Sequence, residues 1–99
     1  MDVRMMSAAE LASELGRRVR YERLRQNLTQ STLAERAGVS RLTITRMEAN
    51  GSATLGNFLS VLVALRSSGS LEAVLKPPPA TTVEQFLEHA APTRQRGSR

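Results

Sequence analysis

Cysteine is absent from the 99 residues, which excludes a disulfide scaffold and a cysteine-ligated zinc finger. Aromatic residues are nearly absent: Tyr21, Phe58 and Phe86 are the whole set, so any core must be aliphatic. The one histidine, His89, has no nucleophile or carboxylate pair placed around it, and it reads as a solvated or helix-terminal side chain. No glycine-rich phosphate loop, metal-ligand spacing or catalytic triad is present. The expectation is a protein that is not an enzyme and needs no metal or cofactor. Long apolar runs are also missing. The longest, residues 58 to 65, is interrupted by Ser60 and falls far short of the ~20 residues that cross a membrane. Residues 1 to 6 lack the apolar stretch of a secretory signal, so the chain reads as soluble and cytoplasmic.

What is present is positive charge. Fourteen basic residues against nine acidic ones give a formal net charge of +5, and all the basic residues except Lys76 are arginine. A basic excess favours polyanionic partners through steering and counterion release, and the planar guanidinium suits phosphate and guanine edges. The length suits one domain with a single modest core.

Periodicity and punctuation divide that domain into short helices. Residues 8 to 26 form the first, with Leu11, Leu15, Val19 and Leu24 along an apolar stripe. Gly16 costs about 1 kcal/mol inside such a helix and marks a possible frayed or bent start. Thr29 is a good N-cap for a second helix to residue 37, which Gly38 ends. Ser40 caps a third, residues 41–49, with Ile44 and Met47 facing inward. Thr54 caps a fourth, from 55 to about 66, carrying Leu55, Phe58, Leu59, Leu62 and Leu65. Ser70 is expected to cap a fifth over 71–75. Residues 8–76 thus form one all-α domain. Residues 77–91 follow as a proline-rich connector, Pro77 to Pro79, and an amphipathic segment opened by Thr82 and Gln85, with Val83, Phe86 and Leu87 on one side. Residues 92–99 read as a disordered basic tail.

The most informative stretch is 28–51: helix, glycine-containing turn, and a second helix with a polar outer face. That is the pattern of a helix-turn-helix, whose second helix enters the major groove of double-stranded DNA. Leu33, Ala34, Ala37, Val39, Ile44 and Met47 are its packing residues. Arg41, Leu42, Thr45 and Arg46 project from the first two turns of the third helix as the candidate base readers. Arginine pairs bidentately with guanine, whereas Leu42 offers only apolar contact, as to a thymine methyl. Gln30, Thr43, Asn50 and Asn57 are the candidate phosphate contacts, which set register and carry no sequence information.

The combined pattern Leu28-Thr29-Gln30, Leu33-Ala34, Ala37-Gly38-Val39-Ser40, Thr43-Ile44 and Arg46-Met47-Glu48 resembles the phage-repressor-like (Xre/Cro-type) helix-turn-helix regulators over residues 12 to 66. The resemblance implies a five-helix lambda-repressor-like domain that binds a palindromic operator as a homodimer, usually as a repressor. It places Gln30, Arg41, Leu42, Thr45 and Arg46 at positions the family uses on DNA, and Arg23 with Glu48 on a structural ion pair between the first and third helices. Most relatives carry a polar side chain where Leu42 stands. Leu71, Val74 and Leu75 exceed what so short a monomer buries, which makes them the candidate dimer contact. The order of features after residue 70 is similar to the ends of HipB-related antitoxins, which implies, as an alternative, a partner that is a kinase-like toxin encoded in the same operon.

Overall fold

Four hydroxyl side chains set the starts of the four α-helices found in the computed structural model, which describes residues 2–79. Ser7 accepts from the Glu10 amide at 3.1 Å while Glu10 accepts from the Ser7 amide at 2.9 Å, and this capping box opens α1 (Ala8–Arg25). Thr29, Ser40 and Thr54 each accept one backbone amide and open α2 (Gln30–Ala37), α3 (Arg41–Asn50) and α4 (Leu55–Ala64). Every such bond satisfies a donor that has no partner inside its own helix. The helices end as sharply. The chain turns at residues of positive φ, Asn27 at 60°, Gly38 at 72°, Gly51 at 78° and Arg66 at 59°. After α1, α2 and α4 the amides of Leu28, Val39 and Ser67 reach back to the carbonyls of Arg23, Ala34 and Leu62.

α1 crosses α3, and α2 packs against both α3 and α4. The core between them is Val19, Leu33, Ala34, Ile44, Met47, Val61 and Leu65, aliphatic apart from one thioether. Leu33, Ile44, Met47, Val61 and Leu65 are fully buried, each contributing roughly 1.5–3 kcal/mol of transfer free energy.

The crossing of α1 and α3 leaves no room for a side chain at two points. A Cβ on Gly16 would lie 2.1 Å from the Met47 carbonyl oxygen, and one on Gly51 would lie 2.1 Å from that of Ala12. Gly16 is therefore neither a frayed start nor a bend. It sits inside a regular helix that begins at Ala8, and its missing side chain is what lets the two backbones touch.

The apolar stripe of α1 is split as a result. Val19 enters the core beside Gly16, whereas Leu11, Leu15 and Leu24 remain exposed. On α4 and its C-cap, Leu62 and Leu65 are buried, as is Val61 from outside the expected face, while Leu55 is exposed. The expected fifth helix over 71–75 is absent. A 3-10 turn at Ser68–Leu71 takes its place, followed by turns in which Val74 and Lys76 bond three residues back. Ser70 does not cap; its hydroxyl donates to the Ser67 carbonyl at 2.7 Å. Five residues are too few to nucleate a helix, Leu75 takes a φ of 51°, and Pro77 blocks continuation. The amphipathic segment with Thr82 and Gln85, His89 and the basic tail lie outside the described residues.

Two outcomes follow from this packing. Gly38 has open space at its Cβ, so Gly38→Ala loses only the left-handed preference, about 1–2 kcal/mol, and Gly38→Asn less. Gly16→Ala must separate two backbones and should reach or exceed the upper end of the roughly 1–3 kcal/mol of overpacked cores. Urea denaturation of the three variants checks the order. Separately, Arg25 and Gln26 hydrogen-bond the Glu22 carboxylate and pull its pKa from 4.5 to about 2. Its contribution to stability is thus present above about pH 4.5 and lost as pH falls toward 2, so the stability gap between the wild type and Glu22→Gln should close over that interval.

Candidate nucleic-acid interface

A buried ion pair underlies the exposed face of α3. Arg23 of α1 donates from Nε to Glu48 Oε2 at 2.7 Å and from Nη2 to Oε1 at 3.0 Å, with side-chain exposures of 8% and 4%. The third guanidinium nitrogen, Nη1, donates to the Leu28 carbonyl at 2.8 Å, which fixes the chain between α1 and α2. The hydrogen bonds that Arg23 donates to Glu48 hold the Arg23 pKa above its usual value against the opposing effect of burial.

The network then continues outward. Gln30, the first residue of α2, donates from Nε2 to Glu48 Oε1 at 3.2 Å. An ionised carboxylate only accepts, so the amide nitrogen must face Glu48 and the amide oxygen must face away. That oxygen lies 3.1 Å from the Thr45 hydroxyl, which is equally close to the Arg41 carbonyl one turn back, and the single hydroxyl proton is shared between them. Arg23, Glu48, Gln30 and Thr45 thus run as one hydrogen-bonded line from the interior of the protein to the outer face of α3. With its proton engaged, Thr45 offers lone pairs to a ligand, and Gln30 retains one free N–H.

Around this line the remaining candidate readers are loose. Arg41 and Arg46 are exposed, and neither forms an ion pair or side-chain hydrogen bond with another described residue. Leu42, 53% exposed, stands beside them and away from the core formed by Ile44 and Met47. The structure therefore places Arg41, Leu42, Thr45 and Arg46 on one α3 surface and adds Gln30 to it from α2.

The other expected phosphate contacts do not join this group. Thr43 is half-buried, and its hydroxyl bonds that of Ser40 at 2.9 Å within the α3 cap. Asn50 ends α3, where its side-chain oxygen accepts from the Ser52 amide at 2.9 Å. Asn57 lies in the first turn of α4. Leu71 is half-buried, while Val74 and Leu75 are exposed at the opposite end of the chain path. Sequence reasoning missed the link from Gln30 to Glu48 and Thr45, because those residues lie 18 and 15 positions apart and share no local periodicity.

Comparison with known proteins agrees with the geometry. A family model described as helix-turn-helix matches residues 19–70, just over half of the chain, running from the buried part of α1 through α4 to the 3-10 turn. No curated protein matches the chain.

Removing one member of the buried pair leaves the other charge uncompensated. Arg23→Met should lose about 3–5 kcal/mol, and the double variant Arg23→Met/Glu48→Met should recover much of that loss. Urea denaturation of both variants measures the difference, and equal losses would contradict the assignment of the cost to a stranded carboxylate.

Proposed function

The chain belongs to the Xre/Cro-type helix-turn-helix family of DNA-binding transcription regulators, and from that premise we propose that it is a dimeric repressor reading a palindromic operator with α3. The observation that carries this reading is the α3 face itself. Arg41 and Arg46 are exposed and unpaired among the described residues, with an apolar Leu42 and an acceptor at Thr45 between and beside them. Two guanidinium groups can each meet guanine O6 and N7, Leu42 can meet a thymine methyl, and the Thr45 oxygen can accept from an amino group of adenine or cytosine. The free N–H of Gln30 and the first-turn amides of α2 favour a phosphate oxygen. Thr43, Asn50 and Asn57 serve the backbone in the same reading, contributing register and no base preference.

A single α3 spans too few base pairs for operator specificity, and two-fold symmetry doubles the site. Leu71, Val74 and Leu75 supply the contact in this reading, with Leu75 95% exposed in the monomer. Two copies would then set their α3 helices about 34 Å apart, one turn of B-DNA, and occupancy of the operator would exclude polymerase.

Gel-shift titration against the chain's own promoter and random duplex tests the assignment. Arg41→Ala and Arg46→Ala should each lose about 1–3 kcal/mol of discrimination. Asn57→Ala should weaken both duplexes alike and leave the salt slope nearly unchanged, because a neutral side chain neutralises no phosphate. Gln30→Ala should do both, since it releases a phosphate contact and frees Thr45 together. Equal affinity of the wild type for both duplexes would remove sequence specificity from the reading.

A further inference from the structure

Four of the exposed large apolar residues, Leu15, Tyr21, Leu55 and Val74, line adjoining grooves at the edge of the core. Leu15 and Tyr21 of α1, Phe58 and Leu62 of α4, and Leu71 and Val74 beyond it line one open groove of about 540 Å3. Leu15 and Phe58 also line a second, smaller groove of about 260 Å3 that runs on to Leu55, so the apolar strip continues along the side of the molecule. Tyr21 is 70% exposed, which a monomeric surface tolerates singly and seldom as part of such a strip. This groove is formed by α1, α4 and the 3-10 turn, and its lining includes none of the α3 residues proposed to read DNA.

We propose that the groove is the seat of the chain's own segment 82–90, docked within the same molecule. Val83, Phe86 and Leu87 fall at i, i+3 and i+4, the spacing of one apolar helix stripe, on a segment whose other residues are small or polar. The chain leaves the groove wall at Val74 and reaches Val83 nine residues later, a span of up to about 30 Å that permits a return across the opening. The three prolines between them favour an extended path over a continued helix, which gives the segment room to turn back. The aromatic inventory points the same way. Tyr21 and Phe58 line the groove, and Phe86 is the third and last aromatic of the chain, so docking gathers all three. Charge is compatible as well: Glu84 and Glu88 flank the stripe, and Arg18 lies in the groove lining, while the acidic Glu22 beside it is already satisfied by Arg25 and Gln26.

Docking of this kind assigns Leu71 and Val74 to the segment and leaves Leu75, which does not line the groove, for a two-fold contact. Docking is independent of base reading by α3, but it competes with the two-fold contact proposed above for Leu71 and Val74.

The absence of cysteine permits a clean spin label. The full chain carrying Glu88→Cys with a nitroxide should broaden the methyl resonances of Leu15, Leu62 and Leu71 at every concentration. A mixture of nitroxide-bearing, isotopically silent copies with isotopically labelled copies lacking the nitroxide should show no broadening. Adding Phe86→Ser to the nitroxide-bearing chain should abolish most of the effect while the methyl positions remain those of a folded protein. Three results would overturn the proposal: no broadening in the labelled chain, broadening in the mixture, which would make a second copy the occupant, or broadening that survives Phe86→Ser.

Discussion

The carboxylate of Glu48 on α3 is buried and accepts hydrogen bonds, and two other helices are arranged to supply the donors it needs. Arg23 brings two from α1 and Gln30 brings one from α2, while Glu48 itself belongs to α3. An isolated buried carboxylate would cost several kcal/mol, so the relative placement of these helices is tied to keeping that group satisfied. The aliphatic core supplies most of the stabilising burial, but Leu and Val side chains tolerate rotation and sliding. Directional bonds to one carboxylate tolerate neither. The close contact of Gly16 with the Met47 carbonyl, one residue before Glu48, adds a second restraint on the same crossing.

Much of the fold was legible because its boundaries are local. Thr29, Ser40, Thr54 and Gly38 act within a turn of their own positions, so the limits of α2 and α3 and the start of α4 follow from short-range chemistry. Leu33, Ile44 and Met47 are inward by periodicity alone. What was not legible depends on distant partners. Whether Gly16 weakens α1 or enables its packing is decided by the backbone of Met47, which no window around residue 16 contains. Leu11, Leu15 and Leu24 satisfy a helical stripe, yet α3 approaches α1 along Gly16 and Val19 and leaves those leucines outside. Residues 71–75 look helical in composition, but they are too few to nucleate a helix, Leu75 takes a positive φ, and Pro77 blocks continuation.

The α3 face was legible as a list of residues and not as a mechanism. Arg41, Leu42, Thr45 and Arg46 share a surface by spacing, whereas the role of Gln30 is visible only once Glu48 lies beside it. In the reading proposed above, attraction of the exposed Arg41 and Arg46 to a polyanion would be sensitive to salt.

The line from Arg23 to Thr45 has an entropic consequence at the outer surface. Thr45 and Gln30 are frozen when the protein folds, so the loss of their rotamer freedom falls on folding and not on association. Arg41 and Arg46 remain unrestrained, and immobilising each costs about 0.5–1.5 kcal/mol when a partner arrives. One face therefore holds two kinds of side chain, a hydrogen-bonded pair whose geometry is set by folding and an unpaired pair free to adapt. In the reading proposed above, the rigid half would present fixed acceptors to the groove, while the two arginines would become ordered only where a guanine edge lies within reach.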